Sequence, residues 1–140
     1  MPARRHVAIG ASVVGAVVGD ARAAAPRECC GLLIGTGDAV VRAHPAANLA
    51  EAATRYEVAP ADHFAALRAA RAEGLAVVGA YHSHPSGPAE PSATDRADAV
   101  PDFLYLIVGL GDEPPDIRLW TLVDGNFVQV DLVGTGGAGA

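Results

Sequence analysis

GAYHSHPSGPAEPSATD, Gly79 to Asp95, is the stretch from which the rest of the chain can be read. The apolar run Ala76 to Tyr81 has extended character and leads into His82 and His84, which are two residues apart. In a strand that spacing sends both side chains to one face, so two imidazoles can address one ion. Pro85 stops the strand from continuing regularly. After a Pro- and Gly-rich loop, Ser92-Ala-Thr-Asp95 reads as a helix start with Asp95 in its first turn. Two nitrogens and one carboxylate oxygen leave a fourth position open for water, the arrangement of catalytic rather than structural zinc.

A metal hydrolase also needs a group that takes a proton from water and returns one to the leaving nitrogen. Glu28 is the candidate: an ionisable residue immediately before the apolar segment Cys29-Cys-Gly-Leu-Leu-Ile-Gly35. Read by itself, it is more often an exposed carboxylate at a strand entrance. Ser92 and Asp95 likewise have a plain reading as a capping box, and capping is compatible with a catalytic role for Ser92. Ser83, between the histidines, is expected to face away from them. His63 reads as a solvent-facing or locally bonded helix residue, and His44 carries no assigned chemistry.

The wider chain sets limits. It has 140 residues, 51% apolar and 19% charged, with a formal net charge of -6, as expected of one folded domain. Its scattered arginines form no basic stripe, which argues against nucleic acid as a partner. Val7 to Val18 is too short to span a membrane. The two cysteines, Cys29 and Cys30, are adjacent and poorly placed for a disulfide, so a reducing, cytoplasmic setting is expected. Their apolar context favours packing over thiol catalysis.

Periodicity predicts a first helix over Ala11–Ala25, with Val13, Val14, Val17 and Val18 on its packed face. Strands follow at 28–35 and 39–44, with a short extended segment at Tyr56–Val58. A second helix is predicted from Pro60 to about Glu73, packing through Phe64, Leu67 and small alanines. Then come the histidine strand, a short helix near Ala93–Ala99, a central strand at Phe103–Val108, and a hairpin of Ile117–Val123 with Phe127–Val133 around Asp124-Gly125-Asn126. Residues 1–133 are expected to form the single domain and 134–140 a flexible Gly-rich tail.

Taken together, Glu28-Cys-Cys30-Gly31, His82-Ser-His84-Pro85, six intervening residues, then Ser92-Ala-Thr-Asp95 resemble the JAMM, or MPN-plus, zinc metalloproteases. The likeness runs from the first helix to the terminal hairpin. It implies an α/β (α+β) MPN/JAB1-like fold: a mixed curved sheet flanked by helices in a deaminase-like layered core. It further implies one catalytic Zn2+ on His82, His84 and Asp95, with Glu28 as general base and proton shuttle and Ser92 assisting the oxyanion. Cys30 matches the cysteine that precedes the family's glycine, usually a structural residue.

The compact form looks most like stand-alone prokaryotic members that act on ubiquitin-like or sulfur-carrier proteins ending in Gly-Gly. The resemblance then implies hydrolysis after that Gly-Gly, with the tail lying along an exposed strand. Release of cysteine from a sulfur-carrier adduct is the favoured version. Deconjugation of protein-lysine adducts and carrier-precursor processing are the alternatives, and a noncatalytic MPN-like interaction module is the reading from another class. An exposed sheet edge would permit a homodimer.

Overall fold

A computed structural model describes residues 5–134. The elements run β1 (His6–Ile9), α1 (Ala11–Ala24), β2 (Cys30–Thr36), β3 (Ala39–Ala46), α2 (Pro60–Ala72), β4 (Ala76–His84), α3 (Ala93–Asp98), β5 (Leu104–Gly109), β6 (Asp116–Val123) and β7 (Asn126–Gly134). The strands form one mixed, closed sheet in the order β1-β3-β2-β4-β5-β6-β7, and β1 closes it by pairing with β7. β4 lies between β2, antiparallel, and β5, parallel, which buries the histidine strand in the middle of the sheet.

The sheet has two apolar faces because side chains alternate along each strand. Leu33 belongs to the cluster that includes Val13, Val17 and Ala21 of α1, while Leu32 and Ile34 pack with Ala66 and Ala70 of α2. In α1 the buried stripe Val13, Val17, Ala21 follows the four-residue spacing expected of a helix face. α2 departs from expectation. Phe64 and Leu67 are 60% and 41% exposed, whereas Ala66 and Ala70 are buried. Two alanines one turn apart let this helix lie close on Leu32, Ile34 and Ala80, and the bulky residues are left facing outward.

β1 was not expected, and it shortens the exposed sheet edge that was. It pairs with β3 only at Ala8–Ala39 and Ile9–Val40, so past Val40 the registered partner of β3 is β2 alone. The terminal hairpin is present as expected. Asp124 (φ 51°) and Gly125 (φ 80°) form its two-residue turn, whose left-handed backbone suits an Asp-Gly pair. Gly134, expected in the tail, belongs instead to β7, paired with Ile9; the rest of that expectation, 135–140, lies outside the described residues. Among the described residues no helix is long and apolar enough to cross a membrane.

Candidate metal centre and its cleft

His82 and His84 lie at the end of β4, and Asp95 comes from the first turn of α3. His82 Nε2 is 3.3 Å from His84 Nε2, and each imidazole nitrogen is 3.1 Å from one oxygen of the Asp95 carboxylate. Ligand atoms about 2.0–2.2 Å from a tetrahedral ion stand roughly 3.3–3.6 Å apart, so the three side chains are already spaced close to one coordination sphere. They form a group in which each residue offers one ligand atom, all within 4.8 Å of one another.

The donor states also suit a metal. His84 Nδ1 lies 2.8 Å from the Pro88 carbonyl, a contact made by donating its proton, which leaves the Nε2 lone pair facing His82 and Asp95. His82 is fully buried and stacked on Tyr56 with ring centroids 4.4 Å apart. Burial holds its pKa below the usual histidine value. Burial acts the same way on His84, but Asp95 and the Pro88 carbonyl outweigh it and raise the pKa. For Asp95 burial would raise the pKa, yet the two neighbouring imidazoles and the hydrogen bond from the Ser92 N–H hold it well below the ordinary range.

Glu28 comes to this group from the β2 side. The ladder pairs Cys30 with His82, and Glu28 lies two residues further toward the site. It is 5% exposed, and its Oε1 has no hydrogen-bond partner among the described residues. Burial pushes its pKa up to about 7; His84 pulls it down and Asp95 adds to the rise. At neutral pH such a carboxyl can both take and give a proton.

Ser92 and Asp95 form the full capping box. Ser92 Oγ accepts from the Asp95 N–H at 3.0 Å, and Asp95 Oδ2 accepts from the Ser92 N–H at 2.8 Å. Because the cap uses a lone pair of the hydroxyl, the hydroxyl proton remains available to another acceptor. Ser92 also lines, with Glu28, His84, Ala53 and Thr54, an open cavity of about 390 Å³. A second cavity, also of about 390 Å³, lies along Tyr56, Val58, His63, Phe103 and Tyr105.

The matching family model, prokaryotic homologues of the JAB domain, spans residues 10–123 and so takes in Glu28, both histidines, Ser92 and Asp95. The chain belongs to this family. Among prokaryotic JAB relatives it is 42% identical over 104 residues to a desampylase of Haloferax volcanii, covering 69% of this chain and 71% of that one. It is 40% identical to a probable TtuB-protein conjugate cleaving protease of Thermus thermophilus, covering 76% and 69%. A CysO-cysteine peptidase of Mycobacterium tuberculosis is 32% identical, with 86% of each chain covered. The solution structure of protein DSY2949 from Desulfitobacterium hafniense superposes with a TM-score of 0.84 at 27% identity, covering 92% of each chain. The mixed α/β JAB/MPN-type fold is therefore present, and the chain is a hydrolase.

The site was only partly anticipated. Its loop is held by residues that spacing did not single out. Ala89 is fully buried; its N–H donates to Asp116 Oδ2 and its carbonyl accepts from Trp120 Nε1, both at 2.9 Å. This fixes the residue next to Pro88, whose carbonyl orients His84. Asn48 joins the Glu28 carbonyl to the segment that carries Tyr56. Ser83 faces away from the histidines as expected, but it is fully buried and accepts from the Cys29 N–H at 2.9 Å. Cys29 and Cys30 are free and buried, and burial pushes both thiols up to about 12, which leaves no thiolate for catalysis near neutral pH. His44 lies on β3, paired with Leu32, outside the metal group; His63 lines the second cavity.

Proposed function

We propose that this protein hydrolyses the amide following the C-terminal Gly-Gly of a ubiquitin-like protein, freeing it from a lysine side chain of the protein to which it is joined. The observation that carries this reading is Glu28: a buried carboxyl with a pKa near 7, lining one cleft with His84 and Ser92. His82, His84 and Asp95 would hold one zinc ion, which when bound supplies a Lewis acid and lowers the pKa of water beside it.

Glu28 removes the proton from the attacking water and delivers it to the departing nitrogen, so one group serves in turn as base and acid. As the carbonyl carbon becomes tetrahedral, charge collects on its oxygen, and the Ser92 hydroxyl donates to it while its lone pair continues to cap α3. Tyr56, stacked on His82, keeps water from that side of the imidazole and fixes its plane. No side chain needs to bond covalently to the acyl group. An extended tail would reach the site from the second, largely apolar cavity, with the leaving group on the side of Glu90 and the prolines.

The leaving-group side distinguishes the two amines. Among the described residues that line that cavity none is Lys or Arg, and Arg118, which reaches lining Glu90, is already paired with Glu90 and Asp116, so a departing free cysteine would meet no unpaired guanidinium for its α-carboxylate. A lysine within a protein brings no such group, and the relatives named for desampylation and conjugate cleavage agree with that choice. Cysteine release is the second reading, favoured by a relative matched over 86% of both chains. Free, buried Cys29 and Cys30 fit action in a reducing cytoplasm.

The test offers zinc-loaded protein a carrier whose Gly-Gly is joined either to the ε-amine of a lysine peptide or to cysteine, and follows both by intact mass. The lysine adduct should be cleaved faster, and neither should be cleaved by chelated protein or Glu28→Gln. Faster loss of cysteine would put the second reading in place of the first. Survival of both adducts would overturn the two together.

A further inference from the structure

β2 enters its ladder at Cys30, paired with His82, so the peptide group joining Glu28 to Cys29 lies before the first registered pair. Both of its polar atoms are bound by side chains instead. The Glu28 carbonyl accepts from Asn48 Nδ2 at 3.0 Å, and the Cys29 N–H donates to Ser83 Oγ at 2.9 Å. We propose that Ser83 and Asn48 are positioning residues that clamp this one peptide from its two sides and thereby aim the Glu28 carboxyl at the histidine–aspartate group. This rests on the reading of Glu28 as the proton-transfer group.

Each clamp ties Glu28 to a different part of the site. Ser83 is the residue between His82 and His84, so the strand that presents the metal ligands also holds the base. Asn48 uses its full hydrogen-bonding capacity. Its second N–H goes to the Arg55 carbonyl at 3.0 Å, and its Oδ1 accepts from the Ala50 and Glu57 N–H groups, each at 2.9 Å. It therefore closes the 48–57 segment, from which Ala53 and Thr54 line the cleft and Tyr56 stacks on His82. With its peptide plane fixed, the Glu28 Cα is held in place and the side chain starts from a set point, which matters because a proton-transfer group must sit within hydrogen-bond reach of its target.

A buried peptide needs partners for stability alone, so the test must separate aiming from folding. Ser83→Ala, Asn48→Ala, the double variant and Ser83→Thr would be compared on the carrier–lysine peptide, with zinc affinity measured by chelator competition. Loss of an orienting partner typically costs about 10–100-fold. Ser83→Ala should lose that much kcat with KM and zinc affinity within about twofold of wild type, and Ser83→Thr, which keeps the hydroxyl, should recover it. Asn48→Ala should lower kcat similarly and also raise KM, because the cleft wall loosens. Since both side chains act on one peptide, the double variant should lose little more than the worse single variant.

Amide exchange of Cys29 in zinc-free protein should accelerate in Ser83→Ala, a readout independent of turnover. Should Ser83→Ala not fold, the half-buried Asn48 supplies the deciding variant: wild-type kcat in folded Asn48→Ala would overturn the clamp. So would losses that multiply in the double variant. If Glu28→Gln is inactive while the clamp variants keep wild-type kcat, the clamp alone fails; if Glu28→Gln is fully active, the proton-transfer reading fails first.

Discussion

Two halves of the candidate site are built differently. The strand half, His82 and His84 on β4, belongs to a sheet whose register fixes its positions over many paired residues, with Glu28 just ahead of the first registered pair of β2. The loop half, residues 85–95 with the opposite wall at 48–57, has little regular structure and is held by side chains reaching from afar: Asp116, Trp120 and Asn48. The contrast shows how a fixed scaffold can carry an adjustable cleft. Strand register sets where the two histidines start, and a few long-range hydrogen bonds fix the loop beside His84 and the opposite cleft wall.

Breaking the strand half should have the largest effect. His84→Ala removes one nitrogen and the contact with the Pro88 carbonyl, and should abolish both zinc binding, by metal analysis, and cleavage; chelation should do the same to wild type. Next, Glu28→Gln should keep full zinc stoichiometry while kcat falls about 10²–10⁴-fold, the usual contribution of a positioned acid–base group. On the loop half, Trp120→Phe and Asp116→Ala each free one side of Ala89, and should weaken zinc binding about 10–100-fold in chelator competition with the circular dichroism spectrum retained. If they did not, the loop would be positioned by something other than those two bonds.

Gly31 offers a smaller break in the strand half. It pairs across the ladder with Tyr81, and a Cβ there would lie 2.2 Å from the tyrosine ring. Gly31→Ala must displace that ring from its 2.8 Å hydrogen bond to Asp20, and should cost about 1–3 kcal/mol in denaturant unfolding. The same half also carries a pH effect in zinc-free protein. Glu28 has a folded pKa of about 7 against an ordinary 4.5, so the folded state holds its proton over a range where the unfolded state has released it. That contribution to stability is complete below pH 4.5 and is lost as pH rises through about 7. The melting temperature of zinc-free wild type should therefore fall between these limits relative to Glu28→Gln, which has no such proton to lose.

The same division explains what could be read in the amino-acid sequence. His82-Ser-His84 and Ser92-Ala-Thr-Asp95 are local patterns, and strand and helix periodicity carry them directly into geometry. The partnership of Glu28 with them spans more than 50 residues and has no local signature; it was supplied by the family resemblance. β1 is four residues long and runs almost directly into α1, so its apolar residues merge with the helix pattern, and its pairing with β7 joins opposite ends of the chain. Phe64 and Leu67 looked like the packed face of α2 because hydrophobicity marks what can be buried, whereas close approach to a sheet selects small side chains such as Ala66 and Ala70. The anchoring of Ala89 by Asp116 and Trp120 depends on two backbone atoms of an alanine, which no residue pattern displays.

The most direct measurement is a single turnover of the carrier–lysine peptide by excess zinc-loaded protein in heavy-oxygen water, followed by intact mass. Attack by water with Glu28 moving the proton predicts one heavy oxygen in the new C-terminal carboxylate of the carrier, no mass added to the enzyme at any time, and no product with Glu28→Gln on the same timescale. A transient covalent carrier–enzyme species, or wild-type turnover by Glu28→Gln, would contradict it.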